Sequence, residues 1–406
     1  MSLPAVQAES RGFRAPGTTF MVTGGLLGAF GAYLFQVYGG RELGTEAFAP
    51  VSVLWTLFFI LGTVLLIPVE QYVTREVASG RKVIPHDLSP VIAMAAISSV
   101  LGAGFVLVTL DRFFEGSIQY AYQIVLLMVG YSLLFVGKGV LAGRRRFADV
   151  GWLLIVETVV RLAAGVAAIR LAANAESLGW AMVLGGFAVL GLRWWRFDSG
   201  DDRPPAAAAP RFLGEYVGGA ASSQILLGAA PIAVGILGAD PEVVSIVFVT
   251  FTLYRAPMTL ILNLQGRILP YLFGLSSSGN LGQLARISRS VVFGGTLLAL
   301  LGAAVGWLVG PDVVRLLFGQ EFAPSSTVAM FAAGGVMAAA AAQIAGQILV
   351  AEARTRRLAM AWSGGLLAAV VALLVLGGEP DVRVAASFAV GEGTALLLMA
   401  VLSARG

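Results

Sequence analysis

The sequence predicts an all-α polytopic membrane protein with about twelve transmembrane helices, arranged as two parallel six-helix lobes around a central cavity. Of its 406 residues, 58% are hydrophobic and only 12% are charged, and the mean hydropathy is +0.85. A soluble surface of this size does not carry such a composition. A helix needs about 20 apolar residues to cross a hydrocarbon core of roughly 30 Å, so helices and short turns account for the whole chain.

Apolar runs that end at charges and turn residues define the spans. Numbered 1 to 12 in chain order, they cover residues 17–38, 47–69, 88–109, 118–142, 149–170, 176–195, 211–238, 242–263, 286–309, 323–350, 357–377 and 382–403. The resulting domains are a cytoplasmic N-terminal segment (1–16), an N-lobe (17–195), a cytoplasmic linker (196–210) and a C-lobe (211–406). Because each half has an even number of spans, the halves relate by an axis along the membrane normal.

The cationic residues indicate how the chain is oriented. Most of the 27 Lys and Arg residues fall on the side of the membrane that holds both termini. The positive-inside rule therefore predicts a multi-pass protein of the plasma (inner) membrane with cytoplasmic N- and C-termini. The same bias explains the pI of about 9.6 without nucleic acid, because the clusters lie where they meet anionic membrane lipids. We expect those lipids, and no nucleic acid, as partners.

Residue types exclude several kinds of chemistry. The chain has no cysteine and a single histidine, His86. Disulfides, thiolate metal sites and histidine-based triads are therefore not expected, and no catalytic or metal-binding residue is predicted. A membrane-embedded sugar transferase would need an acidic metal pair or a large outer loop, and the outer loops here are short. We expect a protein that is not an enzyme and has no cofactor beyond H⁺ or Na⁺ as a coupling ion.

Three short stretches carry a family resemblance. They are the turn before span 2 (RELGTEAF, 41–48), the turn before span 10 (LLFGQEFAPSS, 316–326) and the basic turn after span 4 (LAGRRRF, 141–147). These stretches resemble turns of the polysaccharide and oligosaccharide flippases in the multidrug/oligosaccharidyl-lipid/polysaccharide (MOP) exporter superfamily. The resemblance implies a cavity opened to each leaflet in turn, a lipid-linked sugar moved from the cytoplasmic to the outer leaflet, and glycan-assembly enzymes as partners.

Such a cargo needs a cationic path, because hydrocarbon does not solvate phosphate. Arg255 lies inside span 8, about eight residues from its cytoplasmic end, too deep for easy snorkelling. It is the first candidate for binding the headgroup, with an internal ion pair as the alternative. Arg75 and Lys138 lie near the cytoplasmic mouth, where they either capture phosphate or anchor helices to lipid.

Uncharged residues provide further candidates. Asn263, Gln343 and Gln347 are able to bond sugar hydroxyls, and hydrogen bonds between helices are their other use. Pro231 in span 7 and Pro257 in span 8 each remove a backbone donor. They predict helix kinks, with or without a part in gating.

Acidic residues within spans are candidates for ion coupling. Glu157 and Arg161 are spaced i, i+4 in span 5, in the order that favours an ion pair. They form either a pair that hides charge from lipid or a coupling carboxylate with its counter-charge. Glu392 in span 12 lies between Gly391 and Gly393, which let another helix approach. We expect Glu392 either to pair with a residue on that helix or to act as a second coupling carboxylate.

Other transporter classes, and one class that does not transport, remain open. Spans 1 and 2 hold neither a cation for a pyrophosphate clamp nor the mid-depth carboxylate expected of a small-molecule drug exporter of the same superfamily. A major-facilitator transporter shares the twelve spans, but the loop after span 2 is longer here and lacks that family's aspartate-arginine pair. A non-transporting membrane scaffold is the alternative from another class, and an apolar-filled cavity would favour it.

Overall fold

The computed structural model describes residues 17–83, 88–201, 209–256, 258 and 271–404. Within these ranges the regular elements are helices, and the one exception is an isolated bridge between Arg81 and Asp201. Nine helical runs among the described residues are long and apolar enough to cross a membrane, and the first, Thr18–Ala78, covers two predicted spans. The all-α, multi-pass prediction is confirmed.

Each predicted span overlaps at least one helix. In chain order the helices are α1 Thr18–Leu61, α2 Ile67–Ala78, α3 Ser89–Val108, α4 Gln119–Gly143, α5 Phe147–Leu171, α6 Ala175–Phe187, α7 Ala209–Gly228, α8 Ala230–Ile236, α9 Pro241–Tyr254, α10 Leu281–Phe318, α11 Ser326–Ala351, α12 Thr355–Val375 and α13 Pro380–Ala404. A π-helix, Gly62–Leu66, joins α1 to α2.

The chain folds as two compact units. Unit 1 comprises Met1–Glu42 and Leu61–Val217, and unit 2 comprises Leu43–Ile60 and Gly218–Gly406. Residues 43–60, which include the first part of predicted span 2, belong to unit 2, and the boundary after span 6 lies at Val217, inside predicted span 7.

Small residues set the close packing of α1 on α5 inside unit 1. A Cβ atom placed on Gly24 would come within 2.7 Å of the Gly151 backbone, and one on Gly165 would come within 2.8 Å of the Phe35 ring. Without a hydrophobic driving force in lipid, such close backbone approach is a main source of helix association.

Polar contacts join the end of α2 to the residues after α6 in unit 1. Arg81 pairs with Glu76 at 3.1 Å, and both side chains are buried. The Val83 amide donates to Asp198 at 3.0 Å, and the Asp201 amide donates to the Gly80 carbonyl at 3.0 Å. The sequence predicts connections at 70–87 and 196–210. In the structure α2 continues to Ala78, and Asp201, at the start of the predicted linker, is hydrogen-bonded to the loop that follows α2.

Unit 2 is built on glycine and alanine contacts among its last four helices. A Cβ atom on Gly306 of α10 would come within 2.5 Å of the Ala329 carbonyl on α11, and one on Gly365 of α12 within 2.7 Å of the Gly391 carbonyl on α13. With 38 residues, α10 is about 57 Å long and extends past both ends of predicted span 9.

Candidate functional site

Glu392 is the most isolated acidic side chain in the described part of unit 2. It is 0% exposed, and neither carboxylate oxygen has a hydrogen-bond partner among the described residues. The contact of Gly391 with Gly365 brings α12 against α13 at this level, whereas a Cβ atom on Gly393 would meet open space. The close helix approach expected at the flanking glycines therefore occurs at Gly391 and not at Gly393.

Arg255 lies one turn past Phe251, whose ring contacts that of Phe388, one turn before Glu392. It caps the C-terminus of α9, where its Nε donates to the Phe251 carbonyl at 3.1 Å and its guanidinium lies 5.7 Å from the centre of the Phe59 ring. The 14 residues of α9 rise about 21 Å, which is less than a hydrocarbon core of roughly 30 Å. Arg255 as a whole is half-buried.

Buried hydroxyl groups lie on α13, the helix that carries Glu392, and on α9, which contacts α13. Ser245 and Thr250 on α9 and Ser387 on α13 are buried, and their hydroxyls have no hydrogen-bond partner among the described residues. Phe251 and Phe388 stack edge to face with ring centres 5.0 Å apart, which brings the two helices together. Sequence reasoning missed these hydroxyls, because a serine or threonine in a span ordinarily bonds its own helix.

Glu157 and Arg161 form a buried cluster in unit 1. Arg161 Nη1 lies 2.6 Å from Glu157 Oε1, and the two side chains are 6% and 8% exposed. The Tyr131 hydroxyl donates to Glu157 at 2.6 Å and accepts from Arg161 Nη1 at 3.0 Å, while Thr158 donates to the other oxygen at 3.2 Å. Both charges are thus well bonded, which supports the structural alternative for this pair.

Lys138 and Arg75, the two candidate cations of unit 1, have different surroundings. Lys138 Nζ lies 2.8 Å from Glu70 and 4.9 Å from the centre of the Phe135 ring, so its charge has a partner within the protein. Arg75 lies in the last turn of α2 with an exposed side chain. Arg75 is therefore the more exposed of the two.

The uncharged candidates are only partly described. Gln343 and Gln347 lie one turn apart on α11, both half-buried. Pro231 lies in the first turn of α8, directly after a break in the helix at Ala229, as expected for a residue without an amide hydrogen. Its part in gating stays a prediction. Pro257 and Asn263 lie outside the described residues, as does His86.

No cluster of three or more metal-ligating side chains occurs among the residues that the structure describes. A half-open cavity of about 160 Å³ lies between α7, α12 and α13, with apolar walls and Ser387 on one side.

Comparison with known proteins gives the fold. No family model matches the chain. In sequence it is similar to two uncharacterized proteins of Mycobacterium tuberculosis: Rv3630, 25% identical over 370 residues (84% of this chain and 82% of that one), and Rv1510, 24% identical over 363 residues (84% and 81%). Among solved structures, it matches an inward-facing multidrug resistance MATE family transporter of the MOP superfamily with a TM-score of 0.70 at 13% identity, over 92% of this chain and 93% of that one.

The chain has the MATE transporter fold. An outward-facing multidrug resistance MATE transporter gives a TM-score of 0.61 at 13% identity, over 96% of this chain and 94% of that one. A MOP superfamily transporter from Pyrococcus furiosus, described as having a binding pocket of reverse polarity, gives 0.63 at 13% identity, over 96% and 95%. At 13% identity the comparison shows only that the fold is shared, so the cargo depends on the residues of this chain.

Proposed function

We propose that the protein is a membrane transporter that works by alternating access, and that it moves a lipid-linked oligosaccharide or polysaccharide precursor from the cytoplasmic to the outer leaflet. The MATE fold supports transport, and it favours the exporter superfamily over the major-facilitator alternative. The observation that carries the choice of cargo is Arg255, a half-buried cation at membrane depth. An anionic headgroup would stabilise that charge, whereas a cationic drug would oppose it.

We further propose that Glu392 is the coupling group. A carboxylate without hydrogen-bond donors is costly to hold charged inside a membrane protein, so it is suited to take up H⁺ or Na⁺. Because Arg255 and Glu392 each lie one turn from the Phe251–Phe388 ring contact, binding of a phosphate at Arg255 would change the affinity of Glu392 for that cation. This link would make ion movement depend on cargo.

The test of cargo is transbilayer movement of a fluorescent polyprenyl-pyrophosphate oligosaccharide in proteoliposomes. We expect Arg255→Ala to lower the rate by about tenfold or more, since a hydrogen bond to a charged group contributes roughly 1.5–3 kcal/mol. Arg315→Ala is the matched control, because Arg315 is an exposed arginine that pairs with Asp312. Movement that is equally fast with Arg255→Ala would exclude the headgroup contact.

The test of coupling uses Glu392→Gln, which keeps the shape of the side chain and removes its charge. We expect this variant to lose the dependence of transport on an imposed H⁺ or Na⁺ gradient. A variant that still responds to the gradient like the native chain would rule out coupling at Glu392.

A small-molecule exporter is the second candidate, because the solved structures that share the fold include multidrug transporters. It would show itself as uptake of cationic dyes by proteoliposomes that move no lipid-linked sugar. Anionic lipids near Arg75 and glycan-assembly enzymes are proposed partners of the flippase function.

A further inference from the structure

The helix that forms span 2 is divided between the two units. Residues 43–60 group with unit 2, while the chain on both sides of them, up to Glu42 and from Leu61, groups with unit 1. We call residues 43–60 the switch helix.

The chain before and after the switch helix is firmly held in unit 1. Before it, Gly24 packs on the Gly151 backbone. After it, Glu70 pairs with Lys138 at 2.8 Å, and a Cβ atom on Gly139 would come within 2.8 Å of Val73. A motion of the switch helix relative to unit 1 must therefore be taken up close to its two ends.

The backbone is irregular at both of those ends. Gly44 has φ 76° and ψ 175°, values that interrupt the helix and that side chains other than glycine rarely adopt. At the other end, the Ile67 amide donates to the Gly62 carbonyl five residues earlier, which closes the π-helix Gly62–Leu66. Pro68 follows and supplies no amide hydrogen, so a regular α-helix would lack a bond here. Such turns inside helices are recognised hinge positions.

The switch helix makes apolar contacts within unit 2 and a contact with a cation, the Arg255 guanidinium 5.7 Å from the centre of the Phe59 ring. The buried ring of Phe48 lies 6.0 Å from the ring of Phe248 and 6.3 Å from that of Phe322, both edge to face. Ile60 lies so close to Gly228 of α7 that a Cβ atom there would be 2.9 Å from Ile60 Cγ1.

Two buried hydroxyls on the switch helix are satisfied by the helix itself. Ser52 donates to the Phe48 carbonyl at 3.1 Å, and Thr56 donates to the Ser52 carbonyl at 2.8 Å. These hydroxyls would keep their hydrogen bonds if the helix left its present neighbours. Departure would then cost apolar contact without leaving these two polar groups unpaired.

We propose that the switch helix leaves its contacts in unit 2 once in each transport cycle, bending at Gly44 and at the π-helix Gly62–Leu66. The proposal rests on the transport function given above, and it adds the element that moves and the two points at which it bends.

Accessibility of a single cysteine tests the motion without any transport assay. The native chain has no cysteine, so Ser52→Cys places one thiol on the buried face of the switch helix. Ser132→Cys is the matched control, because Ser132 is 4% exposed in unit 1 and also donates to the carbonyl of its own helix, that of Met128. In proteoliposomes we expect a small maleimide to label the Ser52→Cys variant at least about tenfold faster than the Ser132→Cys variant.

The hinge itself is tested by adding Pro68→Ala to Ser52→Cys. The new amide donor favours a regular α-helix over the π-helix, so labelling at position 52 should slow several-fold. Equal labelling at positions 52 and 132, or labelling at position 52 that Pro68→Ala leaves unchanged, would overturn the proposal.

A disulfide tests whether the motion is required. In a disulfide the Cβ atom of one cysteine and the sulfur of the other are about 3 Å apart, which matches the 2.9 Å between the Cβ position of Gly228 and Ile60 Cγ1. We expect Ile60→Cys/Gly228→Cys to stop movement of the fluorescent lipid-linked sugar when oxidised and to regain it under reductant. Ile60→Cys alone, treated with the same oxidant, is the control.

The two experiments separate the two proposals. If the native chain moves no lipid-linked sugar but the Ser52→Cys variant is labelled quickly and Pro68→Ala slows that labelling, the flippase function fails and the switch helix stands. If the oxidised double variant transports at the rate of the reduced one, the switch helix fails and the transport function stands.

Discussion

Removing the charge of Arg161 should destabilise unit 1 strongly. The side chains of Arg161 and Glu157 are 6% and 8% exposed, so water screens their interaction little. Arg161→Met leaves the Glu157 carboxylate with hydroxyl donors from Tyr131 and Thr158 but without its partner charge. Breaking a buried pair in this way costs about 3–5 kcal/mol. We expect a correspondingly lower melting temperature in detergent, measured by the fluorescence of the native tryptophans.

The double variant Glu157→Gln/Arg161→Met separates a structural role from a coupling role. It removes both charges and keeps similar volumes, so most of the lost stability should return, because replacing a whole buried pair is often neutral. If the pair is structural, this variant also transports at the native rate. Native stability of Arg161→Met would refute the reasoning about burial, and a stable double variant without ion-dependent transport would assign the pair to coupling.

Three further substitutions test individual contacts by thermal unfolding in detergent. Gly44→Ala should lower the free energy of unfolding by about 1–3 kcal/mol, because alanine is strained at φ 76° and ψ 175°. Gly393→Ala is the control, because its new methyl group meets open space and should leave stability unchanged or raise it. Equal effects of the two substitutions would contradict this reasoning. Arg81→Met should lower the free energy of unfolding by about 3 kcal/mol or more, because it leaves the buried Glu76 without its partner charge. A loss of stability below about 1 kcal/mol would show that water reaches Glu76. Gly151→Val should push span 1 away from span 5 and lower the free energy of unfolding by about 1–3 kcal/mol. A variant as stable as the native chain would disprove this close contact.

The residues of the candidate site were predictable to different degrees. Glu157 and Arg161 are four positions apart, and helix geometry alone brings them to one face. Tyr131, which bonds both, is 26 residues from Glu157 on another helix, and no local pattern distinguishes it from other aromatic residues in the spans. Lys138 and Glu70, 68 positions apart, illustrate the same limit, since the sequence marks both as near one membrane surface without pairing them.

The two irregular backbone sites, at Gly44 and at Gly62–Leu66, were predictable to different degrees. The sequence indicates a turn at residues 41–48, and the structure makes it with one non-helical residue, Gly44. A π-helix has no sequence signature as clear as that of a turn, although Pro68 provides the missing donor that helps to explain it.

The sequence by itself determined the solvent, the fold class and the order of the spans, because lipid requires long apolar helices whose backbone groups bond internally. It also predicted which charged residues lie at membrane depth, because so few of them interrupt the apolar runs. Only the tertiary structure decided which of those charges are paired, that Glu392 has no hydrogen-bond partner among the described residues, and that residues 43–60 pack in unit 2. Those outcomes depend on contacts between residues far apart in the chain, whose geometry no local pattern encodes.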